Sequence, residues 1–157
     1  FPGHGSSLAD SHLGFVDITN TWNQKELEPY RYFIANNSVD MIMIAHVFNQ
    51  NLDKNYPATL SYNVNTNLLR NKLGFDGVIV SDDLQMSAIS KHYDLKQTLT
   101  LAINSGVNML LFANQLSKPV SLKEIVDTVY KQVLNNQISI EQIIKSNQRI
   151  DRMMSKY

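Results

Sequence analysis

Cysteine is absent from the 157 residues. That excludes a disulfide scaffold, a thiol nucleophile and Cys-ligated zinc, and it leaves the redox compartment open. Charge of a single sign is lacking too: 14 Lys and Arg stand against 14 Asp and Glu. A neutral chain gives no electrostatic argument for capture of nucleic acid or of an anionic membrane, so neither is expected as a partner. Long apolar runs are missing, since Met41 to Ala45 and Met109 to Ala113 are far short of the ~20 residues of a membrane helix. There is no low-complexity tract and no strict repeat. The chain opens on Phe1, inside a glycine-rich motif, and is read as a fragment on which neither a targeting signal nor a compartment is legible.

What is present is an alternation of short apolar runs with longer amphipathic ones. Val39 to His46, Gly77 to Asp82 and Asn108 to Ala113 are nearly continuous apolar stretches, as expected of parallel strands buried on both faces. Between them, Ser61 predicts the start of a helix that runs through Leu68, Leu69 and Leu73 to Gly74, and a second helix from about Leu95 stops at Gly106. A helix is also predicted from about Lys25 to Asn36, with Pro29 in its first turn. Ser121 with Glu124 and Ser139 with Gln142 fit capping boxes that open two final helices. The apolar faces of both are expected in the core, the first carrying Leu122, Ile125, Val126, Val129 and Val133, the second Ile140, Ile143, Ile144, Ile150 and Met154. Trp22, Tyr30, Tyr32, Phe33 and Phe48 are read as core rather than as a stacking surface.

Strand starts near 39, 77 and 107 are separated by the ~30 or more residues of a β-α-β unit. This admits a doubly wound sheet or a (β/α)8 TIM-type barrel. Polar residues decide for the barrel: His46, then Ser81, Asp82 and Asp83, then Asn114 and Gln115 fall at the C-terminal ends of consecutive strands, where barrel active sites form. A complete barrel needs ~250 residues. The chain from 1 to 157 is therefore expected to be the second half of one barrel domain followed by C-terminal helices, the rest lying upstream of Phe1. A half-barrel leaves a strand edge and an apolar face uncovered, which invites dimerisation of the isolated piece.

Two constellations carry chemistry. In Phe1-Pro2-Gly3-His4-Gly5 followed by Asp10-Ser11-His12, the glycines suit a tight loop, although a lone Gly-x-Gly is poor evidence for a nucleotide site. Asp10 can orient the His12 imidazole and raise its basicity, which makes a general acid/base; the alternative is an Asx turn beside an exposed histidine. Asp82 at a strand end suits a nucleophile or general base, and equally a helix N-cap. Only a fold that gathers strand ends can bring these two segments together.

Together they resemble glycoside hydrolase family 3. Phe1-Pro2-Gly3-His4-Gly5 with Asp10-Ser11-His12 is similar to the K-H-F-P-G-H-G…D-S-H motif of its bacterial β-N-acetylglucosaminidase branch. The run from Leu68 through Gly74-Phe75-Asp76-Gly77 to Ser81-Asp82 resembles the signature around the nucleophile, and Met43 to Val47 and Pro57 to Ser61 resemble further family segments. The resemblance covers roughly residues 1 to 115. It implies Asp82 as nucleophile, His12 as acid/base on a loop, Asp10 as the partner of His12, and His4 and His46 as pocket residues that also admit a packing role. It further implies a saccharide substrate and no cofactor. Gln85 stands where the signature more often has a small residue or Asp, at the expected pocket edge. The family's Lys-His pair, which would precede Phe1, is not in the chain.

Other readings remain open at this stage: a family 3 β-glucosidase or phosphorylase, and a metal-dependent barrel hydrolase using His4, Asp10, His12, His46 and Asp82. No H-x-H or H-x-x-x-H pair puts two metal ligands on one element. A non-catalytic carbohydrate-binding relative is the last alternative. The fragment alone is expected to be inactive.

Overall fold

The computed structural model describes residues 1–7, 14–115 and 118–157. In chain order the elements are β1 (Val16–Asp17), a 3₁₀ turn (Gln24–Leu27), α1 (Glu28–Ala35), β2 (Met41–Ile44), β3 (Val47–Phe48) and a second 3₁₀ turn (Ala58–Leu60). A π-helix (Asn63–Lys72), β4 (Val78–Asp83), α2 (Ser87–Ser90), α3 (Leu95–Ser105), β5 (Met109–Leu111), α4 (Leu122–Leu134) and α5 (Ile140–Met154) follow. The result is an α/β fold whose strands pair only in parallel: β1 with β3, and β2-β4-β5 in a second sheet. The three apolar stretches of the sequence became β2, β4 and β5. The two-residue strands β1 and β3 were not legible, because elements that short have no periodicity.

Local chemistry explains the helix ends. Asp94 caps α3 by accepting from Gln97 N at 2.7 Å, and Gln97 Oε1 accepts from Asp94 N at 3.1 Å. The helix stops at Gly106, where φ is +107° and a Cβ would meet Thr66 Oγ1 at 2.7 Å; both the left-handed backbone and the close approach demand glycine. Ser121 Oγ accepts from Glu124 N at 3.1 Å at the start of α4. At α5 the predicted Ser139 pairing shifts by one residue: Ser139 accepts from Glu141 N and donates to the Glu141 carboxylate. The expected helix after Ser61 is present, and Val64 N donates to Ser61 Oγ at 3.0 Å. Its coil is π rather than α, a distinction that apolar spacing over ten residues does not resolve.

Ile42, Ile44 and Ile79 bury one face of the main sheet against Val64, Leu68, Leu69, Phe75 and Val107. Arg70, on the π-helix, ties the ends of this layer together. Its guanidinium donates to Phe75 O, Gly77 O, Gly106 O and Asn108 Oδ1, the last at 2.6 Å. Burial draws its pKa down to about 10, still well above neutrality. Arg70→Met should remove four hydrogen bonds, three of them to backbone carbonyls, and lower stability by about 3 kcal/mol, read as a lower urea midpoint with an unchanged slope.

The other face of the sheet is open. Paired residues share a face, and the register aligns Met43 with Val80 and Val80 with Met109; Met41, Met43, Met109 and Leu111 are all more than a third exposed. The last two helices are only partly in the core, contrary to expectation. Leu122 is 76% exposed, and α4 and α5 flank an apolar groove of about 390 Å³ lined by Val107, Leu110, Val129, Val133 and Ile143. Described residues of this chain do not fill it. Tyr32 and Phe33 likewise stack edge to face on each other at the surface.

Arg149 and Arg152 of α5 reach Asp76, at 3.1 and 2.8 Å. Burial alone would raise the Asp76 pKa, but the Arg152 and Arg149 charges and hydrogen bonds hold it below the usual carboxylate range. A depressed folded-state pKa gives stability that is present above the unfolded value of ~3.9 and lost as pH falls through the folded one. Protection of α5 amides against hydrogen exchange should therefore fall on acidification below about pH 4 in the native protein, and should no longer do so in Asp76→Asn.

Candidate active site

The C-terminal ends of β2 and β4 lie side by side, with Ile44 paired to Ser81. The sequence Ser81-Asp82-Asp83 is arranged there by a slip in register. Val80 faces Met109 and Asp83 faces Leu111, so Ser81 and Asp82 together oppose Leu110. Bulges of this kind bend the strand and re-aim side chains. The amide put out of step is still satisfied, because Leu111 N donates to Ser81 Oγ at 2.9 Å.

The two aspartates then diverge. Asp82 is half-buried and borders a cleft of about 400 Å³ lined by Phe1, Tyr30, Phe33, Met41, Met43 and Ala45. Its Oδ1 accepts from Asp83 N at 2.8 Å, which fixes one oxygen. Asp83 is buried; its Oδ1 accepts from Gln85 N at 3.1 Å and from Ala113 N at 3.2 Å, binding the loop after β4 to the end of β5. Neither Asp caps α2, whose N-cap is Met86. One carboxylate thus borders the cleft, and its neighbour is buried with one oxygen held by backbone amides.

The glycine-rich segment reaches the same end. Ala45 N donates to Phe1 O at 2.9 Å, and Trp22 Nε1 donates to Pro2 O at 3.0 Å. Gly3 has φ +129°, and a Cβ there would collide with the Glu26 side chain. Glu26 Oε1 accepts from Ser6 Oγ at 2.6 Å. His4 is half-exposed on the ensuing turn, where its carbonyl accepts from Ser7 N. Asp10 and His12 lie outside the described residues.

His46 is not arranged as expected of a pocket residue. It is 1% exposed, with Nδ1 2.7 Å from Thr59 Oγ1 and Nε2 2.8 Å from Asp83 O. Hydroxyl and backbone groups thus meet both ring nitrogens, as in the packing role that the sequence also admitted. Gln85 also departs from the expected pocket edge: 5% exposed, it accepts from Asn114 N at 2.7 Å and donates to Lys118 O at 3.2 Å. It braces one loop against another. The register slip gave no sequence signal, and Thr59, although inside the Pro57 to Ser61 family segment, acquires its role only from residues remote in the chain. Among the described residues no group of three or more His, Asp or Glu side chains is gathered as a metal site.

The sequence pattern of the glycosyl hydrolase family 3 N-terminal domain matches residues 1–153. The chain belongs to this family. Among its relatives is the beta-hexosaminidase A of Pseudoalteromonas piscicida, 30% identical over 173 residues, covering 99% of this chain and 29% of that protein. The beta-hexosaminidase of Haemophilus ducreyi is 40% identical over 119 residues, covering 73% of this chain and 34% of that protein. The solved family 3 beta-N-acetylglucosaminidase of Paenibacillus sp. str. FPU-7 superposes with a TM-score of 0.87 at 34% identity, over 99% of this chain and 30% of the other. The chain spans about a third of the length of such relatives. Its resemblance is thus to beta-hexosaminidases within the family, as the D-S-H triplet suggested.

Proposed function

We propose that this chain is the nucleophile-bearing second half of the (β/α)8 barrel of a retaining β-N-acetylhexosaminidase, which removes terminal β-N-acetylglucosamine from cell-wall or chitin-type saccharides. The observation that carries this reading is the divergence of Asp82 and Asp83, which leaves one carboxylate facing an open cleft at the strand ends. The parallel α/β sheet and the D-S-H triplet support it. Asp82 attacks the anomeric carbon while His12 protonates the departing oxygen; water, deprotonated by His12, then attacks C1 and releases Asp82. Asp10 holds the His12 ring and stabilises its imidazolium. His4 serves the sugar pocket from the Gly3–Gly5 turn.

Proton NMR of the first product decides the stereochemistry: the β anomer is expected, and initial release of the α anomer would remove Asp82 as nucleophile. His12→Ala should slow aryl glycosides with poor leaving groups by about 10²–10⁴-fold. It should spare first-step turnover of a dinitrophenyl glycoside, whose leaving group needs little protonation. Equal losses on both substrates would assign His12 another role.

A further inference from the structure

We propose that His46 is a positioning residue for the Asp82 carboxylate, acting through the main chain of Asp83. The inference rests on the reading of Asp82 as nucleophile and adds a device that holds it. A carbonyl oxygen only accepts, so the 2.8 Å approach of His46 Nε2 to Asp83 O puts a proton on Nε2. In the neutral ring this leaves Nδ1 to accept from the Thr59 hydroxyl, 2.7 Å away. Thr59 is wholly buried, and Ala45 O, 3.0 Å from its hydroxyl, competes with Nδ1 for its single proton, which keeps the hydroxyl between the ring and the end of the strand before it. The chain of contacts therefore runs from the end of β2, through Thr59 and His46, to the Asp83 carbonyl at the end of β4. The Asp83 amide in turn fixes Asp82 Oδ1 at 2.8 Å. The clamp holds the peptide plane that follows Asp83 and so restricts the φ and ψ rotations by which the preceding plane, which carries the Asp83 amide, would turn away from Asp82. The Asp83 carbonyl also accepts from Met86 N at 3.0 Å, so the His46 contact is applied at the end of the register slip together with that turn bond. A displaced nucleophile is costly because attack requires a near-linear approach at ~3–3.5 Å.

The side chains of Gln and Asn separate the two ring contacts. Gln places an amide donor near the Nε2 position and Asn near Nδ1, so His46→Gln retains the link to Asp83 O while His46→Asn and His46→Leu lose it. The full-length protein carrying this chain is treated with an activated 5-fluoro N-acetylglucosaminyl fluoride, and the rate of covalent labelling at Asp82 is followed by peptide mass spectrometry. Labelling is expected to slow by about 10- to 100-fold in His46→Leu and His46→Asn and to recover in His46→Gln to within about threefold of the parent. The loss should lie in the maximal rate and not in the half-saturating concentration. Labelling of His46→Leu at the parent rate, a His46→Gln variant no better than His46→Leu, or a loss confined to half-saturation overturns the inference. Nitrogen-15 NMR of the unaltered protein tests it without a variant: Nε2 of His46 is expected in the protonated form, and an unprotonated Nε2 overturns it. A parent protein that is never labelled at Asp82 overturns the nucleophile assignment instead.

Discussion

Asp82→Ala, made in the full-length protein, should lower kcat by about 10⁴-fold or more, equivalent to about 5.5 kcal/mol of lost transition-state stabilisation. In the proposed mechanism the carboxylate forms the covalent bond itself, so no neighbouring group takes its place. Asp83 is adjacent in sequence, but its Oδ1 is committed to the Gln85 and Ala113 amides. Azide supplied to Asp82→Ala should restore cleavage of a dinitrophenyl β-glycoside and yield the α-glycosyl azide, because it attacks from the face the carboxylate has left. Asp83→Asn should be impaired by a different route, with lower stability and no azide rescue. Residual hydrolysis of Asp82→Ala within tenfold of the parent would give the nucleophile's role to another residue.

Residues 1–157 expressed alone should show no turnover of a nitrophenyl N-acetylglucosaminide and should migrate as a self-associated species in size-exclusion chromatography with light scattering. Two exposed surfaces motivate this. Met41, Met43, Met109 and Leu111 line an uncovered sheet face, and the groove between α4 and α5 leaves Val129, Val133 and Ile143 lining a cavity of about 390 Å³. Apolar surface of this extent, beside parallel strands with open edges, associates readily in water. The same uncovered face borders Asp82, so a sugar held there lacks contacts on one side, and with them the binding energy that orients it. A monomeric fragment with turnover comparable to the full-length protein would show that the described cleft is sufficient as it stands.

The family was legible in the sequence because its motifs are local. Asp82 with its strand, the Asp10-Ser11-His12 triplet and the glycine turn at Gly3 are short motifs whose order marks the family, and the helix starts at Ser61 and Ser121 are set by contacts within one turn. Tertiary structure decided which carboxylate faces the cleft, that Ser81 repairs a register slip, and that His46 and Gln85 brace loops rather than border the cleft. Each of those outcomes depends on partners 13 to 37 residues away, brought close only when β2, β4 and β5 align. A sequence pattern records what a side chain is able to do; burial and hydrogen-bond competition, which are non-local, fix what it does.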